Sequence, residues 1–256
     1  MTEPRSAAPA AVVAVVPLRD GVSGKSRLAT ALEPAARRRL VAALARHVVT
    51  TLAATPQVAE ILVVTADVGF VEEALAGLPL TVLRQPAERP GLNAALDHAR
   101  EDVRRRRPGS TLLVAHADLP LLTPADVAAL LRGTTGAALH RGTRAAVPHR
   151  GATGEALHRG DADPALHHGD TAAAVLPCAV VVATDRHDAG TNLLALPADA
   201  AFAFRFGADS KGAHVAEAAR RGLPCVVVHR PGTAADLDTL DDWSELPAAV
   251  RLRLSR

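Results

Sequence analysis

Two short turns rich in glycine and hydroxyl side chains lie within residues 185–214 and could bind an anion. The first is Gly190-Thr191-Asn192, and the second runs from Phe206 through Gly207 to Ser210. Turns of this kind expose backbone N–H groups and hydroxyls, which suit a negatively charged ligand. Taken alone, the same residues fit a pair of ordinary polar turns equally well. The rest of the chain therefore decides between the two interpretations.

A basic loop containing two glycines follows the first apolar segment and could bind phosphates. It reads Pro17-Leu-Arg-Asp-Gly-Val-Ser-Gly-Lys-Ser-Arg-Leu28. Its Gly24-Lys25-Ser26 triplet is not a Walker A motif, because that motif needs a glycine at the position of Arg19. Glycines still let a ligand approach the backbone closely, and Lys25 and Arg27 can neutralise phosphate charge. The loop therefore favours a triphosphate ligand over a solvated basic turn.

Carboxylates at two strand ends could hold a metal ion. Asp118 directly follows an apolar strand candidate, where an acid is costly without a partner. Asp236 and Asp238 lie in the loop after the last strand candidate. A hard cation such as Mg²⁺ binds one or two carboxylates together with phosphate oxygens. The sequence thus predicts a Mg²⁺ site at these acids, the alternative for Asp118 being a turn or helix-capping role before Leu119-Pro120.

The elements that must position these residues alternate between strand-like and helix-like patterns. Helices are predicted at 34–54, 68–76, 91–107, from Thr123 onward and at 209–221. Strands are predicted at 12–16, 61–64, 80–83, 111–115, 179–183, 201–204 and 225–228. The alternation predicts an α/β fold with a mostly parallel sheet, in which ligands collect at the carboxyl ends of the strands. The polar candidates follow such strand ends.

Composition narrows the class of protein. The chain has 256 residues, 48% of them apolar and 2% aromatic, which is enough for a sizeable core. Because the net charge is only +2, we expect neither nucleic acid nor a membrane as a partner. The two cysteines, Cys178 and Cys225, lack metal-site spacing and are expected to be reduced. The apolar stretch 7–17 is too short to span a bilayer, so we predict a cytoplasmic protein.

A nine-residue repeat interrupts the α/β pattern. His140, His149, His158 and His167 occupy equivalent positions in successive units, most of which read His-Arg-Gly. Metal-binding histidines usually lie only a few residues apart, and cysteines often accompany them. We therefore predict a low-complexity insertion at about 137–177, with a metal-storage or metal-sensing segment as the alternative.

Several segments together resemble the phosphoenolpyruvate or 2-phospho-L-lactate guanylyltransferases of coenzyme F-420 biosynthesis. These segments are 17–28, 91–95, 117–120, 185–192, 206–214 and 236–242. The most specific is Gly-Thr-Asn at 190–192 followed by Phe-Gly-Ala-Asp-Ser at 206–210. The resemblance covers residues 12 to about 132 and 179 to 243. It implies a single Rossmann-like nucleotidyltransferase domain, similar to glycosyltransferase A, at 12–248 after a flexible tail at 1–11.

The same resemblance implies an activity and a set of site residues. GMP would pass from GTP to the phosphate of a three-carbon acid with release of pyrophosphate, in a Mg²⁺-dependent reaction. Thr191, Gly207 and Ser210 would hold the acid, and Lys25 and Arg27, beside Gly24, would hold the GTP phosphates. The guanine pocket would be lined by Thr65, Asp67, Gly91 and Asn93. Asp118, Asp236 and Asp238 would hold the metal.

Two features depart from the family pattern and leave alternatives open. The family carries Asp-x-Asp at this strand end, where the chain has His116-Ala-Asp118, so a neutral and softer group replaces one metal ligand. The His-Arg-Gly insertion has no counterpart in that pattern. The alternatives are a related nucleotidyltransferase that acts on another phosphorylated small molecule, and a non-catalytic nucleotide-binding relative with a degenerate metal site. The residues do not separate phosphoenolpyruvate from 2-phospho-L-lactate as acceptor.

Overall fold

The chain folds into one seven-stranded sheet with helices packed on both faces. The structure, a computed structural model, describes residues 10–19, 28, 32–134 and 179–255. Gly24, Lys25, Arg27, the insertion predicted at 137–177 and most of the tail predicted at 1–11 lie outside these residues. The strands are β1 Val12–Pro17, β2 Val58–Thr65, β3 Thr81–Arg84, β4 Thr111–Ala115, β5 Val180–Thr184, β6 Thr191–Pro197 and β7 Cys225–Val228. The helices are α1 Pro34–Ala53, α2 Val68–Ala74, α3 Leu92–Arg106, α4 Pro124–Thr134, α5 Ser210–Arg220, α6 Pro231–Ala234, α7 Leu240–Glu245 and α8 Ala248–Leu254.

The sheet is mostly parallel, as the alternation of elements predicts. Its strand order is β3-β2-β1-β4-β6-β5-β7. Strand β6 alone among the described strands runs antiparallel to its neighbours, pairing with β4 on one side and β5 on the other. The carboxyl ends of the six other strands therefore meet at one edge of the sheet, where β6 begins. Thr191 and Asn192, the first residues of β6, lie at that edge.

Both faces of the sheet are buried, which explains why its strands read as continuous apolar runs. On β1, Val12, Ala14 and Val16 pack into one core cluster, and Val13 and Val15 pack into a second. The first cluster contains residues of α1, α2 and α4, and the second contains residues of α3 and α5. Adjacent strand residues point to opposite faces, so each strand joins the two clusters. None of the helices in the described ranges is long and apolar enough to cross a membrane.

The predicted strand at 201–204 is wrong. Phe202, Phe204 and Phe206 are buried in the second core cluster, but this segment pairs with no strand of the described sheet. Its backbone N–H groups bond instead to side chains, since Ala203 N donates to Glu217 and Arg205 N donates to His214. Alternation of aromatic residues fits a buried irregular segment as well as a strand, because both point every second side chain inward. The residues of β6, by contrast, were not predicted as a strand.

The short helix α6, which follows β7, is held against α4 by an ion pair and by close packing. The carboxylate of Asp126, at the start of α4, is buried and accepts hydrogen bonds from Thr123 and from Arg230 Nε at 3.0 Å. Gly232 in α6 packs directly against this carboxylate. This ion pair between a buried carboxylate and a partly exposed guanidinium fixes α6 and, with it, the loop that carries Asp236 and Asp238.

Replacing Gly232 by alanine is expected to destabilise the fold. The added Cβ would overlap Asp126 Oδ2 and lie 2.7 Å from the carbonyl oxygen of Leu121, which is backbone and cannot yield easily. We expect Gly232→Ala to lower the free energy of unfolding by roughly 1–3 kcal/mol in urea denaturation. Gly69→Ala is the matched control, because Gly69 lies in α2 and its Cβ would meet its nearest neighbour at 3.8 Å. That control should be neutral or slightly stabilising, and an equal loss in both variants would contradict the packing argument.

Candidate active site

A cleft of 370 Å³ opens at the carboxyl ends of β1, β2 and β4. Aliphatic side chains from α1, β2 and α3 form its walls, including Leu44, Val64 and Leu92. Its polar lining among the described residues comprises Arg19, Gln85, His116, Asp118 and Asp238. An apolar cleft with a few converging polar groups at this edge is the usual ligand site of an open α/β sheet.

Two of the acids predicted to bind a metal, Asp118 and Asp238, line this cleft, and the third, Asp236, lies in the same loop as Asp238. Leu237 N donates to the backbone oxygen of Asp118 at 3.1 Å, which ties the 236–238 loop to the end of β4. Burial raises the pKa of Asp236, and the negative charge of Asp118 raises it further. Two carboxylates that repel each other in a partly buried place are stabilised by a cation between them. The residues therefore fit a divalent metal ion.

The protein alone does not enclose a metal ion at these acids. Within the described residues no group of three histidine, cysteine or acidic side chains is arranged to hold one. Mg²⁺ keeps several of its ligands from water or substrate phosphates, so two or three protein carboxylates at the rim of a cleft suffice. The arrangement thus fits a metal that arrives with, or is completed by, a nucleotide.

His116 stands where the family pattern has an acid, and its ring packs on an aromatic side chain. The ring centroids of His116 and Phe206 are 5.1 Å apart. Its Nε2 is buried and has no hydrogen-bond partner in the described part of the chain. The backbone N of His116 donates to Asn192 O at 3.1 Å, which continues the β4–β6 ladder. The imidazole is therefore part of the wall between the acids and the 205–207 segment.

The two turns predicted to bind an anion meet in space. Thr191 N donates to Ser210 Oγ at 2.9 Å, and Thr191 Oγ1 lies 3.0 Å from His214 Nδ1. Thr191 and Ser210 are both buried, and Ser210 is the first residue of α5. Gly207 precedes that helix with a φ of 146° and open space around its Cα. The structure thus brings Thr191 and Ser210 into contact and places Gly207 in the turn that leads to them.

Asn93 holds this turn in place from α3. Its Nδ2 donates to Phe206 O at 3.0 Å, and its Oδ1 accepts from Phe206 N at 2.9 Å. Both polar atoms of the amide are therefore engaged by the backbone of Phe206. Asn93, predicted in the guanine pocket, acts on the 205–207 segment rather than projecting a polar atom into the cleft.

The other three residues predicted in the guanine pocket shape its backbone. Thr65 Oγ1 accepts from Asp67 N at 3.0 Å, and Asp67 Oδ1 caps α2 by accepting from Phe70 N at 3.0 Å. The oxygen of Gly91 accepts from Gln85 Nε2 at 3.0 Å. Among the described residues, the wall of the cleft is formed by Gln85 and by neighbours in the sequence such as Val64 and Leu92. Thr65, Asp67 and Gly91 do not line it.

Gln85 is a site residue that the sequence reasoning missed. Its Nε2 donates to Arg89 O at 2.7 Å as well as to Gly91 O, so both amide hydrogens are used and its Oε1 is left as an acceptor beside the cleft. A polar residue directly after a short, half-exposed strand gave no sequence signal, because its importance depends on the carbonyl groups of the following loop. Asn192 belongs to the Gly-Thr-Asn turn named in the sequence but was given no role of its own there. Its Nδ2 donates to Thr233 O at 2.9 Å and approaches Asp236 Oδ1 at 3.5 Å.

Comparison with solved structures identifies the fold. A nucleotidyl transferase from Methanothermobacter thermautotrophicus superimposes with a TM-score of 0.56 at 19% identity, covering 95% of this chain and 97% of that one. At this identity the likeness concerns the fold alone. The predicted Rossmann-like nucleotidyltransferase fold is confirmed.

Sequence comparison identifies the family. The family model described as "Guanylyl transferase CofC like" matches residues 12–139. A phosphoenolpyruvate guanylyltransferase from Rubrobacter xylanophilus is 36% identical over 93% of this chain and 94% of the relative. One of the same name from Sphaerobacter thermophilus is 35% identical over 91% of each. The chain belongs to the guanylyl transferase CofC-like family and is a nucleotidyltransferase enzyme.

The burial of His214 predicts a pH dependence of stability. The pKa of His214 is lowered from 6.5 to about 4, mainly by burial. The charge of His116 contributes to this shift, and Glu217 opposes it. Below pH 6.5 this histidine is protonated in the unfolded chain, whereas in the folded chain it stays neutral down to about pH 4. Stability should therefore fall between pH 6.5 and pH 4, by up to about 3 kcal/mol from this group.

Urea denaturation across this pH range checks the expectation. His214→Asn removes the titrating ring, so the variant should lose less stability than the wild type on acidification. Other acids titrate in both proteins and cancel in the difference. Parallel pH profiles for the two proteins would contradict the assignment of a buried neutral imidazole.

Proposed function

We propose that the protein is a phosphoenolpyruvate guanylyltransferase. It transfers GMP from GTP to the phosphate of phosphoenolpyruvate and releases pyrophosphate. The observation that carries the proposal is the meeting, at one sheet edge, of the Asp118–Asp236 acids with the Thr191–Ser210 hydroxyl turn. A metal–triphosphate complex and a small anionic acceptor need these two surfaces side by side. The relatives named phosphoenolpyruvate guanylyltransferase support the choice of acceptor, and 2-phospho-L-lactate is the alternative.

The reaction is an in-line displacement at phosphorus. A phosphate oxygen of the acceptor attacks the α-phosphorus of GTP, and the bond from that phosphorus to the bridging oxygen breaks as pyrophosphate leaves. The acceptor phosphate is already an anion at neutral pH, so no side chain has to remove a proton. The chain contributes positioning of the two substrates and neutralisation of their charge.

Mg²⁺ is the metal we propose for the acidic cluster. Asp118, Asp236 and Asp238 would hold it, and when bound it would neutralise triphosphate charge. Asn192 supports this role, because its amide bridges Thr233 O and Asp236 and so orients one carboxylate. Leu237 N, bonded to Asp118 O, keeps the two acidic segments at a fixed distance.

The remaining site residues divide between the two substrates. Lys25 and Arg27, beside Gly24, would bind the triphosphate, with Arg19 adding positive charge at the cleft. The loops built on Thr65, Asp67, Gly91 and Asn93 would shape the guanine pocket, where Gln85 Oε1 offers an acceptor for the N–H groups of guanine. Thr191, Ser210 and the backbone at Gly207 would hold the acid.

We further propose that the reaction belongs to coenzyme F-420 biosynthesis and takes place in the cytoplasm. A related nucleotidyltransferase with another acceptor and a non-catalytic nucleotide-binding protein are the competing functions. Pyrophosphate release from GTP and Mg²⁺ separates them, with phosphoenolpyruvate, 2-phospho-L-lactate and a sugar phosphate assayed in parallel. We expect release with phosphoenolpyruvate. Release only with the sugar phosphate, or GTP binding without any release, would overturn the proposal.

Asp118→Asn is expected to abolish most turnover while leaving the fold intact. The substitution keeps the shape of the side chain but removes a charge proposed to hold the metal. We expect kcat to fall by at least about 100-fold, a typical cost of losing one electrostatic contact to the reacting phosphate. Asp241→Asn, at an exposed position in the first turn of α7, is the control and should keep near-normal turnover. Near-normal turnover of the Asp118 variant would remove it from the metal site.

Ser210→Ala is expected to weaken binding of the acid substrate more than binding of the nucleotide. Loss of one hydrogen bond to a charged group should raise the KM for phosphoenolpyruvate on the order of tenfold. The KM for GTP should stay nearly unchanged, because the proposed nucleotide site is built from other residues. Ser244→Ala is the control, since that hydroxyl is exposed and donates only to Asp241 O. An equal rise of both KM values would place Ser210 outside the acid subsite.

A further inference from the structure

His214 makes a hydrogen bond at each ring nitrogen, and one of them fixes where the ring carries its hydrogen. The side chain is fully buried in α5. Arg205 N lies 3.0 Å from Nε2, and a backbone N–H can only donate, so Nε2 is the bare acceptor. The neutral ring must then carry its hydrogen on Nδ1. That hydrogen points at Thr191 Oγ1, 3.0 Å away.

This tautomer makes the Thr191 hydroxyl an acceptor from the ring, and the Thr191 backbone N–H makes the Ser210 hydroxyl an acceptor as well. Thr191 Oγ1 accepts from His214 Nδ1, so its own hydrogen must point elsewhere. Ser210 Oγ accepts from Thr191 N at 2.9 Å, so its hydrogen is likewise directed away from that bond. Within the described residues neither hydroxyl donates to a protein acceptor. Thr191 and Ser210, which are in contact in the fold, therefore present two O–H donors side by side.

We infer that His214 is a positioning residue for the acid acceptor, acting through Thr191. Because the Thr191 hydroxyl accepts from the ring, its own hydrogen is left for an acceptor-only group such as a carboxylate or phosphate, beside the Ser210 hydroxyl. The inference rests on the proposed function, because it assigns the Thr191–Ser210 turn to the anionic substrate. His214 itself touches no substrate atom. A ligand with an alcohol in place of the anion would lose this donor-to-anion match.

The surroundings of the ring keep this arrangement fixed. Phe202 stacks on the ring at 5.8 Å between centroids, and Phe206 packs edge-on at 4.7 Å. His116 and Glu217 are the titratable groups whose charges reach it. A hydrogen on Nε2 would oppose the N–H of Arg205 and break the hydrogen bond between the ring and the 205–207 segment. The same ring thus positions the hydroxyls and pins the turn that contains Gly207.

Three substitutions separate the two functions of the ring. In His214→Asn the amide reaches the position of Nδ1 and can still donate to Thr191. In His214→Gln the amide reaches the position of Nε2 and can accept from Arg205 N but loses the donor to Thr191. Thr191→Val removes the hydroxyl at nearly constant volume.

Steady-state kinetics with GTP and phosphoenolpyruvate test the inference. We expect His214→Gln to raise the KM for phosphoenolpyruvate on the order of tenfold, with the KM for GTP unchanged. His214→Asn should retain most of the wild-type value. In the Thr191→Val background, His214→Gln should add less than about twofold, because the residue through which it acts is gone. Equal KM values in the Gln and Asn variants, or full multiplication of the two effects, would overturn the inference.

Nitrogen NMR of histidine-labelled wild type provides a readout independent of turnover. The resonance pair that disappears in His214→Asn should show a hydrogen on Nδ1 and none on Nε2. A hydrogen on Nε2 would overturn the inference whatever the kinetic result. Absence of pyrophosphate release by the wild type with either acid would instead overturn the proposed function, so the two failures are distinguishable.

Discussion

The antiparallel pairing of β6 between β4 and β5 is the constraint on which the site depends. Leu193 pairs with Ala115 on β4 and with Ala183 on β5, so the register of β6 is held from both sides. A slip by one residue would turn its buried leucines to the wrong core cluster. The first two residues of the strand are therefore placed as precisely as the sheet itself. Thr191 contacts α5, whereas Asn192 contacts α6 and the acidic loop.

Several residues proposed for the site lower the stability of the fold at this edge of the sheet. The acids around Asp236 repel each other, and a histidine that would be protonated in mild acid is held neutral in the core. Close packing on both faces of the sheet offsets such costs, since the strands bury apolar side chains on each side. The ion pair between buried Asp126 and partly exposed Arg230 adds a specific restraint, because it holds α6 against α4 and keeps the acidic loop beside Asp118.

The sequence predicted the α/β class and most elements, because continuous apolar runs and helical periodicity are local signals. It missed β6, since Thr191 and Asn192 read as a polar turn and the leucines after them are too few to show a period. It placed a strand at 201–204, where side chains of α3 and α5 bond the backbone instead. The hydroxyl and acidic residues stood out by type. Gln85 and the function of His214 did not, because each depends on hydrogen bonds to atoms whose positions only the folded loops determine.

The start of β6 also explains how two substrates can be aligned without a flexible connection. Successive strand residues point to opposite faces of the sheet. Thr191 and Asn192 therefore contact different elements although they are neighbours in one rigid strand. One supports the proposed acid subsite and the other the proposed metal site. An in-line displacement requires attacking and leaving oxygens to be set at a fixed separation and angle, and misplacement by an ångström is costly. A buried central strand, rather than a loop, meets that requirement, because its backbone cannot shift without breaking two ladders of hydrogen bonds.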